Sequence, residues 1–193
     1  MPNPTKYSAN DSTRLESAFV DDLKPSQTPD LSSFQRIDTS GAELVSTKFR
    51  DCCVRLDMQD LQQFEILEHQ YEKWGVSFQN AIALQPSNPA FPTRAGKMVV
   101  MGAPRAGWIE AKFHSPVSCV NSFVTSSRRL VLSAFDACDR PVAHVEMEEP
   151  NLGGSDSQIP PNAKLSLTAA NIHRITLSCL GGHITLDELS FSA

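Results

Sequence analysis

The chain predicts an all-β protein, a two-sheet antiparallel β-sandwich preceded by an extended N-terminal arm. Between Gly107 and Phe191 short apolar runs of strand length follow one another, separated by Pro, Ser, Arg and Asp turn signals. No connection carries the long 3.6-residue periodicity of a crossover helix, which argues against parallel pairing. Residues 1–33 are rich in Ser, Thr, Asp and Pro and poor in periodic apolar positions, so they cannot bury a core of their own.

Composition narrows the classes of function. The 193 residues carry 17 basic and 22 acidic side chains, a formal net charge of -5, and they show no concentration of Lys and Arg that would suit a phosphate backbone. Nucleic acid is therefore not an expected partner. No apolar stretch reaches the roughly eighteen residues of a membrane span. The opening Met1-Pro-Asn-Pro-Thr-Lys-Tyr7 has no apolar run after Lys6, so no secretory signal is read and a cytoplasmic or intracellular location is expected. Five cysteines, Cys52 and Cys53 adjacent and Cys119, Cys138 and Cys179 beside strand patterns, fit reduced thiols better than a disulfide framework.

Taken in order, Asp11 to Val20 can form a brief helix, capped by Asp11 or Ser12, with Leu15, Ala18 and Phe19 on one face. Pro25 and Pro29 stop it. Phe34 to Leu61 is ambiguous: Leu44, Phe49, Val54, Leu56 and Leu61 can anchor an extended arm, and Asp57–Gln63 can add one helical turn. The expected division is an arm over residues 1–60 and a sandwich over 61–193. Trp74–Phe78 and Ala81–Leu84 are short strands, and Trp74 suits the core or a sheet edge. Gln85–Pro92 must be a loop, since Pro86, Pro89 and Pro92 cannot donate to a ladder. Lys97–Met101 returns to strand character and Ala103–Gly107 turns the chain. In Trp108–Phe113 the residues Ile109, Ala111 and Phe113 can face the core while Trp108, Glu110 and Lys112 face outward. Val117–Thr125, Leu130–Phe135, Val142–Met147, Ala163–Thr168, Ile172–Ser178 and His183–Phe191 complete the series.

Several of these runs resemble a family of bacterial galactose-binding-like jelly-roll domains, often found in exported proteins with a C-terminal sorting tail. The resemblance rests on Phe64-Glu-Ile-Leu67 followed by Tyr71 and Gly75-Val-Ser-Phe78, and on Pro116, Val117, Val120 and Phe123. Ala134-Phe-Asp136 continues it, as do Ile172, Ile175, Gly182, Ile184 and the closing Leu186-Asp-Glu-Leu-Ser-Phe191. It spans residues 64–191. It implies a jelly-roll sandwich in which the first and last strands lie close together. It also implies a calcium site, with Glu65 and Asp187 as carboxylate ligands and oxygens around Asn80 completing the shell. Neither an export signal nor a sorting tail is read in this sequence, so a role away from the cell surface is expected, and the polar arm lies outside the resemblance.

Functional expectations follow from these features. The contrast between a strand-rich body and a polar arm points to a non-catalytic protein-binding or assembly module, its arm docking on another protein. One alternative is a carbohydrate-binding module, with Trp108 or Phe91 stacking on sugar and Arg94 and Arg105 among the polar contacts. Another is a calcium-dependent enzyme using a carboxylic acid. No Gly-x-Ser-x-Gly, phosphate-loop or His-Glu-x-x-His motif occurs. The residues Cys138, His144 and Asp136 can be drawn as a triad, but nothing in the strand pattern aligns them.

Overall fold

The computed structural model describes residues 54–103, 105 and 107–193. The expected arm up to residue 53, with its helix at 11–20, lies outside the described residues. Among them the chain forms β1 (Val54–Leu56), β2 (Val76–Gln79), β3 (Ala81–Leu84), β4 (Val99–Gly102) and β5 (Trp108–Ser126). There follow β6 (Leu130–Phe135), β7 (Pro141–Met147), β8 (Ala163–Ser178) and β9 (Ile184–Ser192), and one 3-10 turn covers Glu72–Trp74. All pairings are antiparallel. This is the predicted β-sandwich of jelly-roll type.

Strands β5 and β8 are long because each belongs to both layers. The first part of β5 pairs with β2 and with the last part of β8, which continues to β6 and β7. This is the front layer, in the order β2-β5-β8-β6-β7. The second part of β5 pairs with the first part of β8 and with β9, which continues to β4 and β3 and takes β1 alongside. This is the back layer. The sequence reads β5 and β8 as two strands each, because Pro116 and the polar Asn171 look like breaks. The structure bends the strands instead. Register shifts between Lys112 and Val117 and again before Cys119 absorb the donor that Pro116 lacks. In β8 the bend includes Asn171, whose φ of 59° a short amide side chain tolerates.

The core lies between the layers. Across the front layer Ile109, Leu177 and Leu132 stand in one inward row, and all are buried. Across the back layer Leu165, Leu186, Leu189 and Phe191 face them, and the rings of Phe113 and Phe191 meet at 4.9 Å between centroids. The β9 strand is buried along its whole length. Its polar positions are covered too, and Asp187 is the extra residue where the β5 pairing shifts from Glu188 to Leu186.

Two expectations change. The sheet begins before Leu61, because Val54–Leu56 pairs with β9 and Leu56 and Met58 are buried in the core. Trp74 is not a core residue. It sits on the 3-10 turn, 52% exposed, with Lys73 above its ring. The tight Tyr71–Gly75 turn, closed by Gly75 at φ 84°, swings Trp74 outward before β2 begins.

Replacing Leu177 by Ala removes a fully buried side chain from the centre of the front layer. We expect Leu177→Ala to lose about 2–5 kcal/mol in denaturant unfolding, with the slope against denaturant unchanged. A loss comparable to an exposed-site substitution would contradict this placement.

Candidate functional site

The outward face of the front layer collects the polar and aromatic side chains that alternate with the core. Strand register puts Gln79, Glu110, Thr176, Ser133 and His144 in one row across β2, β5, β8, β6 and β7. A second row runs through Trp108, Ser178, Val131 and Glu146, and a third through Lys112, Arg174 and Phe135. Adjacent strands lie about 4.8 Å apart. The first row therefore presents a hydrogen-bonding group on each of its five strands at this spacing. Most of these side chains are half-buried, so they are held by their neighbours yet reachable.

Trp108 is placed by backbone constraints around it. The Asn80 side-chain amide donates to the Trp108 carbonyl at 2.7 Å and to the Arg105 carbonyl at 2.6 Å, while its Oδ1 accepts the Arg105 N–H at 2.9 Å. Asn80 itself has φ 54° at the β2–β3 turn. Gly102 lets β4 pass this point, since a Cβ there would stand 2.4 Å from the Trp108 carbonyl oxygen.

The charges on this face are joined in pairs. Glu110 accepts from Arg174 Nη1 at 3.0 Å and lies 3.4 Å from Lys112 Nζ. Arg174 also reaches Asp139 through Nε and Nη2, and its guanidinium lies flat on Phe135 at 3.9 Å from the ring centroid. Along the neighbouring edge Arg129 engages Glu146 and Glu148, and His144 Nε2 lies 3.3 Å from Glu146. The hydrogen bond from Arg129 holds the Glu146 carboxyl below the usual range. At the β6–β7 turn, hydrogen bonds from Arg140 do the same for Asp136.

The back layer carries a related cluster under a loop. Arg94 stacks on Phe123 at 3.8 Å, and both Arg94 and Arg55 pair with Glu188, at 2.7 and 2.8 Å. The Arg94 backbone N–H donates to Asp187 at 2.7 Å. Asn162 donates to the Pro92 carbonyl, and the Gly153 N–H donates to the Ala90 carbonyl. The proline-rich loop is thereby tied down across the outward side of this layer. Asp187 is 2% exposed, and burial pushes its carboxyl above the ordinary 3.8, partly offset by the Arg94 and Ala95 N–H groups.

The residues expected at a site separate into different places. Trp108 lies on the front face. Arg94 is in the back-layer cluster, and Phe91 lines a shallow cavity of about 200 Å3 within the same loop, with Gln85, Pro86, Thr93 and Lys97. Arg105 is exposed and clasped through its backbone by Asn80. Of the proposed calcium ligands, Glu65 accepts from the Gln62 N–H and the Gln70 amide, which lower its pKa. Asn80 holds the Trp108 turn, and Asp187 holds the loop. The three thus serve three separate hydrogen-bond sets. Among the described residues no group of three or more His, Cys, Asp or Glu side chains has metal-binding geometry. The Cys138 N–H donates to Asp136, whereas His144 Nε2 lies 3.3 Å from Glu146.

Sequence reasoning missed the Arg174–Phe135 stack and the Glu110–Arg174 pair. The signal was available as matching outward phase on β5, β6 and β8, but it needs the register to be read. It also missed a strip at the back-layer edge, where Ile66 bridges Ile82 and is 63% exposed. Phe64, 68% exposed at φ 66°, stands beside it.

Fold and face together define a β-sandwich with an open polar sheet surface. No protein-family model matches the chain, and no curated protein matches it. Among solved structures it is similar to TmCBM61 in complex with β-1,4-galactotriose, at 12% identity and a TM-score of 0.38, over 68% of this chain and 98% of that one. It is also similar to the apo CBM1 of BiXyn10A, at 12% identity and a TM-score of 0.33, over 74% of this chain and 98% of that one.

Asp187 supplies a test of the buried carboxylate. Its folded-state pKa is raised, so the folded chain holds this proton more tightly than the unfolded chain. Its contribution to stability is therefore best below 3.8 and is lost as pH rises through the folded value. Asp187→Asn keeps an acceptor for the Arg94 N–H and removes the charge. Unfolding free energies should show the variant gaining on wild type as pH rises through that window. Parallel pH profiles for the two proteins would contradict the assignment.

Proposed function

We propose that the protein is a non-catalytic carbohydrate-binding module and that the front face is its glycan surface. One observation carries this reading: a cross-strand row of Gln79, Glu110, Thr176, Ser133 and His144 runs beside Trp108 on an accessible sheet face. Sugars present hydroxyls at their edges and C–H groups on their faces. A polar row can exchange hydrogen bonds with the former, and an indole can cover the latter.

Binding suits this face better than acid catalysis. Glu146 is held ionised by Arg129 and is a poor proton donor near neutral pH. Asp187, whose carboxyl is raised, is enclosed rather than presented to a substrate. The assembly reading depends on the N-terminal arm, which lies outside the described residues and lends it no support.

A panel of soluble glycans titrated by calorimetry tests the proposal. We expect Trp108→Ala to lose about 2 kcal/mol of binding, roughly thirtyfold in Kd, while the melting midpoint reports whether the fold is kept. Glu110→Gln provides a second variant that leaves the indole in place and should weaken binding by a smaller factor. Unaltered affinity in both variants would place the glycan surface elsewhere.

A further inference from the structure

Resting on the glycan reading, we infer that the front face selects neutral glycans over anionic ones and that Asp139 enforces the selection. Sugar carboxylates and sulfates are recognised most strongly by arginine, whose planar fork offers two parallel donors. Each arginine at this face already has carboxylate partners, and Lys112 lies 3.4 Å from Glu110. Arg174 places Nη1 on Glu110 at 3.0 Å and both Nε and Nη2 on Asp139, at 3.1 and 3.0 Å. Its flat side is taken by Phe135. Arg129 is held between Glu146 and Glu148. An incoming anion therefore meets cations already paired with carboxylates that repel it. A neutral hydroxyl meets carboxylate lone pairs that still accept hydrogen bonds.

Asp139 differs from the other acids in how it reaches the face. It belongs to the β6–β7 turn, at φ 58°, and its side chain is 77% exposed. The turn is built by Asp136, which accepts the Cys138 and Arg140 N–H groups at 2.8 and 3.0 Å. That turn projects Asp139 to the half-buried Arg174 on β8. Removing the Asp139 charge takes away a repelling carboxylate beside Arg174: glycine also frees one edge of the Arg174 fork, while asparagine keeps an acceptor there and removes only the charge. Asparagine tolerates the left-handed backbone there, and glycine adopts it freely.

The test uses the full chain and two sets of probes. The neutral set is β-1,4-galactan, cellohexaose and xylohexaose. The anionic set is alginate, polygalacturonate and dextran sulfate. Wild type should bind within the neutral set and not the anionic set. Its affinity should change by less than about twofold between about 0.02 and 0.5 M salt, because no free charge pair is being screened. Asp139→Asn and Asp139→Gly should keep neutral binding and gain anionic binding that weakens at least about tenfold over the same salt range. Anionic binding by wild type, stronger than neutral binding, overturns the inference and leaves the glycan reading standing. Unchanged selectivity in both Asp139 variants removes the role given to that residue. Failure of wild type to bind either set removes both the inference and the reading beneath it.

Discussion

Because β5 and β8 remain hydrogen-bonded to each other on both sides of their bend, the two layers cannot be assembled independently. The register Glu110–Thr176 in front and Val120–Leu167 behind belong to one ribbon. The register shifts around Pro116 set how far one layer is turned from the other. Interior faces follow from this ribbon. Ile109 and Leu177 can meet Leu132 in front only if Val120 and Leu165 point toward the same interior from behind. A slip of one residue in either part would send the apolar set outward.

The same register makes the front face a surface rather than a scatter of polar residues. Gln79, Glu110, Thr176, Ser133 and His144 come from five strands spread over residues 76–178, and they align only because every pairing is fixed by buried neighbours on the opposite face. Trp108 stands at the start of β5, where Asn80 and Gly102 leave its backbone little freedom. Such a surface is pre-organised, so on the proposed glycan reading binding need not order the protein as well.

Each layer uses the same local device outside the core: an arginine lying on a phenylalanine and paired with a glutamate. In front it is Arg174, Phe135 and Glu110, and behind it is Arg94, Phe123 and Glu188. Stacking covers the aromatic face that would otherwise be wet, and the carboxylate offsets the charge. The difference lies in what passes over them. Behind, the proline-rich loop is tied down through Asp187, Asn162 and Gly153, and the polar positions of β9 are buried. In front, the side chains of the polar row remain accessible.

What the sequence by itself determined is the all-β class, the inward and outward phases of individual strands, and the outward position of Trp108. These are local properties of alternation and turn chemistry, and Ile109, Ala111 and Phe113 are buried as their alternation requires. It misread the bends at Pro116 and Asn171 as breaks, because a bulged strand and a turn use the same residue types. It also placed Trp74 in the core or at a sheet edge, since nothing in its neighbours announces the 3-10 turn. Only the tertiary structure decided that Asp187, Asn80 and Glu65 serve separate hydrogen-bond sets, and that Arg174, Glu110, Asp139 and Phe135 meet on one face. Contacts between residues so far apart along the chain depend on strand order and register, which emerge from packing the whole core and are not written in any single segment.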